Sequence, residues 1–461
     1  MTAPYYQDEQ VILHHGDCLA VLRADDYGYD WNLGHRSARM FPDCSVDAVI
    51  TDPPYGIAFM GKDWDQPGAF GSERRNGSPQ RTQREGLAMD AGRYDLSPAA
   101  MLNFQRWCTA WATECLRILK PGGHLLAFGG SRTWHRLAAA IEDAGFETRD
   151  SIAWLYGSGF PKSLDVSKAI DKAAGAERGV VGTHHRHGGG SAVSGSMLGS
   201  LGTDSELPLT APATVAAKRW QGWGTALKPS FEPIVVARKP LSGTVAQNVL
   251  EHGTGALNID ACRVTTGDAL VRPSVQRHDN EVLGKGLGAG AQVEPAGRWP
   301  TNVVLDEHQA EALDRQTGVL HSGTMRAGTD RQPRAGGTIY GADARNFVPA
   351  DTYGDSGGAS RFFPVFRYEA KAPTSERPNA DGVQHPTVKP LDLMRWLVRL
   401  VTPVGAVVLE PFAGSGTTAE ACVLEDRQCI AIEREADYLP LIVSRLQKPV
   451  QQGLFGLEAG A

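Results

Sequence analysis

Two short stretches of this 461-residue chain combine residue types that can do chemistry together. The first, Asp52-Pro53-Pro54-Tyr55, follows the apolar run Val46-Asp47-Ala48-Val49-Ile50 and Thr51. A carboxylate oxygen of Asp52 can accept one N–H of a planar exocyclic amine and the Pro53 carbonyl the other, while the prolines hold both acceptors still. Tyr55 offers a flat face on which a base can stack. Drawing both hydrogens to acceptors makes the nitrogen more tetrahedral, and its lone pair can then point at a methyl sulfonium. The catalysis expected is positioning plus electrostatic stabilisation of charge on the amine. A rigid turn after a strand is the plain alternative, since Asp-Pro turns are common. The preceding Val-Ile-Thr and the following Gly56 favour the catalytic reading.

The second stretch, Val407-Val408-Leu409-Glu410-Pro411-Phe412-Ala413-Gly414-Ser415-Gly416-Thr417-Thr418-Ala419, reads as a buried strand, a glycine turn and a helix start. Gly414 and Gly416 let backbone pass close to a ligand, so a side chain at either is expected to occupy the ligand's space. The open amides of the helix can receive an anionic group. Glu433 follows the next strand, placed to accept hydrogen bonds from ribose hydroxyls. No Lys follows the glycines, which excludes a Walker-type phosphate loop. Alone, the segment fits a nicotinamide dinucleotide, S-adenosylmethionine or an ordinary tight turn equally.

The elements that must position these groups follow an alternating pattern at both ends of the chain. From Val11 to about Trp154, apolar runs alternate with amphipathic stretches, as parallel β and α elements do. Ser97 can cap a helix running to about Leu119, which Lys120-Pro121-Gly122-Gly123 stops before a strand from His124 to Phe128. A helix from Thr133 to Ala144 closes at Gly145 before a strand from Thr148 to Leu155. From His385 the pattern returns, with helices from Pro390 to Val401 and Thr417 to Glu425 and strands at Ala406–Leu409 and Gln428–Ile432. Between about Gly157 and Gln384 the chain is rich in Gly, Ser, Pro and Thr and weakly periodic, apart from the strand Glu232–Ala237.

Composition narrows the function classes. A formal charge of −6 argues against a protein that coats nucleic acid throughout, and 41% hydrophobic content without a long apolar run argues against a membrane protein. The N-terminus lacks the basic start and apolar stretch of a signal peptide, which points to the cytoplasm. Seven cysteines, never spaced Cys-x-x-Cys, argue against a disulfide framework or a thiolate zinc site. Residues Tyr156 to Ala372 hold 23 Lys and Arg against 21 Asp and Glu, whereas the remainder is net −8. The cationic share, small as it is, sits in the middle, where a surface facing a polyanion is plausible.

Taken together, the Asp-Pro-Pro-Tyr and Phe-x-Gly-x-Gly motifs and their order resemble the DNA amino-methyltransferases that act on adenine N6 or cytosine N4, in the permuted β-class arrangement. The resemblance implies a Rossmann-like α/β fold with a doubly wound, mostly parallel sheet and an irregular inserted target-recognition region. S-adenosyl-L-methionine is the implied methyl donor, with no metal. His15-Gly16-Asp17-Cys18 looks like the family's early Gly-Asp turn, which implies that Asp17 reaches the cofactor adenine. His385-Pro386-Thr387-Val388-Lys389-Pro390 looks like the segment closing over the methionine end, with Thr387 and Lys389 near its carboxylate. The implied catalytic residues are Asp52, Pro53, Pro54 and Tyr55. Those implied for the cofactor are Asp17, Thr387, Lys389, Glu410, Phe412, Gly414, Gly416, Thr417 and Glu433. The chain then divides into a catalytic half (1–162), an insertion (163–228), a core strand (229–239), a target-recognition region (240–384), a cofactor half (385–448) and a flexible tail (449–461).

An Asp-first tetrapeptide is the commoner adenine form, so adenine N6 is expected, with cytosine N4 as the alternative within the class. A nicotinamide-dependent oxidoreductase and a non-enzymatic DNA-binding module are the alternatives outside it. The implied partner is double-stranded DNA, which would bring a cytoplasmic bacterial enzyme to the nucleoid. No membrane is implied, and the reading leaves room for a homodimer. Gln451-Gln452-Gly453-Leu454-Phe455 resembles peptides that dock on a bacterial sliding clamp. Asp355, Glu369 and Lys371 mimic a metal nuclease, but no strand pair is evident to carry them. His184-His185-Arg186-His187, set among glycines, reads as a solvated loop or a phosphate contact. Lys218-Arg219-Trp220-Gln221-Gly222-Trp223 fits a nucleic-acid contact and a half-buried Trp pair about equally.

Overall fold

The computed structural model describes residues 3–24, 40–57, 65, 96–157, 163–186, 205–265, 297–321, 323, 326, 354–366, 383, 385 and 387–447. The clamp-like peptide Gln451–Phe455, Glu369 and Lys371 lie outside the described residues, as do the side chains of the His184–His187 cluster. The strands are β1 (Tyr6–Gln7), β2 (Val11–His15), β3 (Val46–Thr51), β4 (Leu119–Phe128), β5 (Glu147–Leu155), β6 (Val180–Arg186), β7 (Ser205–Thr210), β8 (Phe231–Arg238), β9 (Val303–Asp306), β10 (Leu320–His321), β11 (Ser356–Gly357), β12 (Val365–Phe366), β13 (Val407–Glu410) and β14 (Gln428–Glu433).

Ten of these form one sheet in the order β1-β2-β14-β13-β3-β4-β8-β5-β9-β12. The run β2-β14-β13-β3-β4 is parallel throughout. Strand β8 enters antiparallel between β4 and β5, and β5, β9 and β12 are again parallel. The apolar runs become central strands because both faces are covered: every residue of β3 is buried, as are Leu125 to Phe128, Ile234 to Ala237, and Val408 and Leu409. The one charged residue inside β3 has a structural task. Asp47 accepts Lys120 Nζ at 2.6 Å and the Val407 amide at 2.8 Å, tying β3 to its two neighbours.

Chain direction on the sheet fixes where a ligand can sit. From β3 the chain crosses through the helix Pro98–Ile118 to β4 on one side, whereas from β13 it crosses through Thr417–Leu424 to β14 on the other. Right-handed crossovers in opposite directions put those helices on opposite faces and open a crevice between β3 and β13 at their C-terminal ends. Asp52 and the glycine turn follow directly from those two strands.

The described residues group into two compact units, one of 1–54, 104–157 and 231–461, the other of 55–103 and 158–230. The first contains the large sheet. The second contains the β6–β7 hairpin and the helices Val166–Ala173 and Val215–Arg219. The stretch 240–384 is more regular than its composition suggests. Helices Val245–His252 and Glu307–Thr317 lie in it, and β9 and β12 extend the main sheet, so part of this stretch belongs to the first unit. No helix among the described residues is long and apolar enough to cross a membrane.

Candidate active site

Asp52 stands immediately after β3, where two prolines release the chain from the sheet. Its Oδ2 accepts Lys389 Nζ at 2.7 Å, and the same ammonium lies 3.3 Å from Glu232 Oε2 and 4.9 Å from the centre of the Phe128 ring. The antiparallel setting of β8 produces this meeting, because it brings the start of β8, where Glu232 sits, to the sheet edge where β3 and β4 end. Burial alone would lower the lysine pKa, but Asp52 and then Glu232 more than offset it and hold the ammonium above the usual lysine range. The sequence placed Lys389 near a cofactor carboxylate. In the fold its ammonium contacts two protein carboxylates, Asp52 and Glu232.

Around the crevice, Glu410 is almost fully buried, and it accepts Thr51 Oγ1 at 2.5 Å, Thr418 Oγ1 at 2.6 Å and the Phe412 amide at 3.0 Å. Burial pushes its pKa up to about 8, and these hydrogen bonds only partly offset that. Glu410 thereby joins the residue before Asp52 to both ends of the glycine turn. Phe412 packs against Trp107 and Trp111, each at 5.5 Å between ring centres. Thr417 is buried, its hydroxyl 2.9 Å from that of Ser415.

Gly414 and Gly416 both have positive φ, +53° and +77°, so any side chain there is strained. A Cβ on Gly416 would come 2.9 Å from Ile442 Cγ2 on the helix Leu439–Leu446, so packing alone already requires a glycine here. A Cβ on Gly414 would meet the His385 ring at 3.2 Å. His385 itself hydrogen-bonds through Nδ1 with Thr387 and lies edge-on to Tyr438 at 4.6 Å. Burial of its ring pushes its pKa down to about 4 and keeps the imidazole neutral near pH 7. Thr387 is exposed.

Glu433 ends β14, next to the glycine turn. Its Oε2 accepts the Gly414 amide at 2.7 Å and its Oε1 the Glu435 amide at 2.7 Å, and burial pushes its pKa up to about 7. Asp17 caps the short helix Cys18–Leu22, its Oδ1 accepting the Leu19 and Ala20 amides at 3.1 and 3.2 Å. Strand β2 pairs with β14 so that His15 lies opposite Glu433, which brings the Asp17 turn to the same sheet edge. Pro53 is buried and Pro54 half-buried. Tyr55 begins the second unit and is half-buried; next to it the Gly56 amide donates to Asp65 Oδ1 at 2.6 Å.

Asp52, Lys389, Glu410, Phe412, Gly414, Gly416, Thr417 and Glu433 thus belong to one sheet edge. Glu232, His385 and Thr51 join them there without having been singled out from the sequence. An acidic side chain on the strand beside a glycine turn, both at a topological switch point, is the arrangement that receives an adenosyl group, and the residues fit S-adenosylmethionine. Among the described residues no cluster of His, Cys, Asp or Glu is arranged to hold a metal ion.

The fold and this edge define an α/β enzyme of the nucleotide-cofactor type with an anchored carboxylate beside the cofactor turn. The DNA methylase family model matches residues 46–444, and the chain belongs to that family of N6/N4 methyltransferases, whose methyl donor is S-adenosyl-L-methionine. It is similar over 411 residues, at 23% identity, to the type II methyltransferase M.HindIII of Haemophilus influenzae, covering 87% of this chain and 89% of that one. A shorter similarity, 38% over 154 residues, relates it to the type II methyltransferase M2.DpnII of Streptococcus pneumoniae, covering 33% and 45% of the two chains. Among solved structures, the cytosine-N4-specific PvuII DNA methyltransferase aligns with 96% of this chain and 88% of its own at 12% identity and a TM-score of 0.40. The M1.HpyAVI complex with its methyl donor aligns with 95% and 99% at 15% identity and a TM-score of 0.34.

Proposed function

We propose that the protein methylates the exocyclic N6 of adenine in a base flipped out of double-stranded DNA, at sites of defined sequence. The observation that carries this reading is the Asp52 carboxylate, anchored by Lys389 one strand away from the glycine turn. Asp52 accepts one N–H of the target amine and the Pro53 carbonyl the other. The motif assigns Tyr55 the face on which the base stacks. Bound S-adenosylmethionine supplies an electrophilic methyl group on sulfur. Glu433 would hold its ribose hydroxyls, and the turn from Phe412 to Gly416 would pass beneath it. Lys389 donates to Asp52 and keeps it aimed, so that the acceptor is in place before the amine arrives and little reorganisation accompanies methyl transfer. The choice of adenine over cytosine rests on the Asp-first tetrapeptide, and sequence recognition is assigned to residues in 240–384.

Expression of the chain in a methylation-deficient bacterial host, followed by sequencing that reports modified bases, tests the proposal. N6-methyladenine at a recurring short sequence is expected. N4-methylcytosine at such a site would assign the other amine, and unmodified DNA from cells containing folded protein would overturn the reading.

A further inference from the structure

The second unit presents a surface that the methyl-transfer site does not use. Between Glu206 and Glu232 the sequence holds no acidic residue, whereas it holds Lys218, Arg219 and Lys228 together with Trp220 and Trp223. The two indoles contact each other edge to face at 4.9 Å instead of entering the core, with 39% and 60% of their surfaces exposed, and Leu227 beside them is 93% exposed. Lys218, Arg219 and Lys228 are exposed as well. Two tryptophans left in water are unfavourable for a chain that has a core to hide them in.

This surface is held rigid from behind. Buried Asp171 accepts the Ala213 and Thr214 amides at 3.0 Å and the Thr214 hydroxyl at 2.8 Å, and pairs with Arg178 at 2.7 Å. Thr214 in turn caps the helix Val215–Arg219 through the Ala217 amide at 3.1 Å. On the far side of the tryptophans, Ser163 Oγ accepts the amides of Thr225 and Ala226 at 2.9 and 3.3 Å, and the Val166 amide donates to the Trp223 carbonyl at 3.1 Å. A Cβ on Gly224 would fall 2.3 Å from Ser163 Oγ, so the loop seats there only because that residue is glycine. The ordering cost of presenting two indoles and three cations is therefore met in folding rather than on binding.

We infer that residues 215–228 form a DNA-contacting platform, in which Lys218, Arg219 and Lys228 meet backbone phosphates and the Trp220–Trp223 pair packs on the exposed face of an unstacked base or a sugar. It rests on the reading of the protein as a DNA methyltransferase and adds a contact separate from the amine-holding carboxylate. Phosphate contacts explain the absence of acid over this stretch, and an indole face explains why apolar area stays exposed among cations. An acidic protein partner would also meet the cations, but would gain nothing specific from flat rings set at right angles.

The test compares full-length wild type, Trp220→Ala/Trp223→Ala and Lys218→Glu/Lys228→Glu for binding to a fluorescently labelled mixed-sequence duplex by anisotropy across a salt series. Wild type is expected to bind. The tryptophan variant should bind about tenfold or more weakly. The charge variant should weaken binding and flatten the salt dependence by about two in log–log slope. Calorimetric affinity for S-adenosylmethionine should be unchanged in both. Both lysines are exposed, so the charge variant keeps the test decisive if the tryptophan variant fails to fold. Binding curves that superimpose on wild type would overturn the platform while leaving the methyltransferase reading intact, and wild type that neither binds nor methylates DNA would overturn both.

Discussion

At the scale of single residues, the proposed acceptor Asp52 is coupled to Lys389: it stands at a strand end near the buried Glu410, with the lysine ammonium 2.7 Å away. Asp52→Ala is expected to lower the rate of methyl transfer about 30-fold or more, the equivalent of roughly 2 kcal/mol in a hydrogen bond to a charged acceptor. Calorimetric affinity for S-adenosylmethionine should remain near wild type, and near-normal turnover would remove Asp52 from the reaction. Lys389→Met should do more harm than either carboxylate substitution, because it removes the ammonium that contacts both Asp52 and Glu232. A stability loss of about 3 kcal/mol in urea titration is expected alongside lost activity. Glu232→Gln, which leaves the Lys389–Asp52 pair in place, should lower kcat only several-fold with KM for the methyl donor unchanged. A loss as deep as that of Asp52→Ala would make Glu232 a direct participant.

The glycine turn is best judged at the scale of the elements it joins. Because the missing Cβ of Gly416 faces Ile442, Gly416→Ala should destabilise the protein by about 1–2 kcal/mol through left-handed strain and overpacking, before any effect on ligand binding. Thermal melts that match wild type would show that the helix Leu439–Leu446 yields easily. That distinction was not legible in the sequence, where Gly-x-Gly says only that backbone comes close to something. The strands and helices flanking the turn were legible to within a residue or two. Their apolar runs are continuous and punctuated by glycine and proline, as at Val46–Thr51, whereas the strand expected at His124–Phe128 begins five residues earlier, at Leu119, through the Lys120-Pro121-Gly122-Gly123 stretch read as a stop. Strand β9 was not, since four residues carry too little pattern, and the helix Glu307–Thr317 that follows it directly is mostly polar and shows no apolar stripe. Local motifs gave Asp52 and the turn. Glu232 needed knowledge that β8 runs antiparallel, because only that direction delivers its first residues to the active edge.

Across the whole molecule, the two buried carboxyls should leave a mark on stability. Glu410 and Glu433 have pKa values pushed up to about 8 and about 7 in the fold from an ordinary value of 4.5. Between these limits the folded chain retains protons that the unfolded chain has released, so stability should fall as pH rises from about 5 to about 8. Glu410→Gln should reduce that slope in denaturant titrations at successive pH values, and an unaltered slope would place its origin elsewhere. The order of strands carries a further consequence for how the protein is made. Strands β13 and β14 lie between β2 and β3, so the first two central strands are separated by a gap that only strands beginning at Val407 fill. Thr51 and Glu410, whose hydrogen bond closes the site, are 359 residues apart. A ribosome must therefore add 359 residues after Thr51 before Glu410 can join it and the sheet become continuous, and the emerging chain must hold apolar strand edges apart through that interval. The same arrangement leaves the proposed acceptor Asp52 without its Lys389 partner until a segment 337 residues further along the chain has arrived.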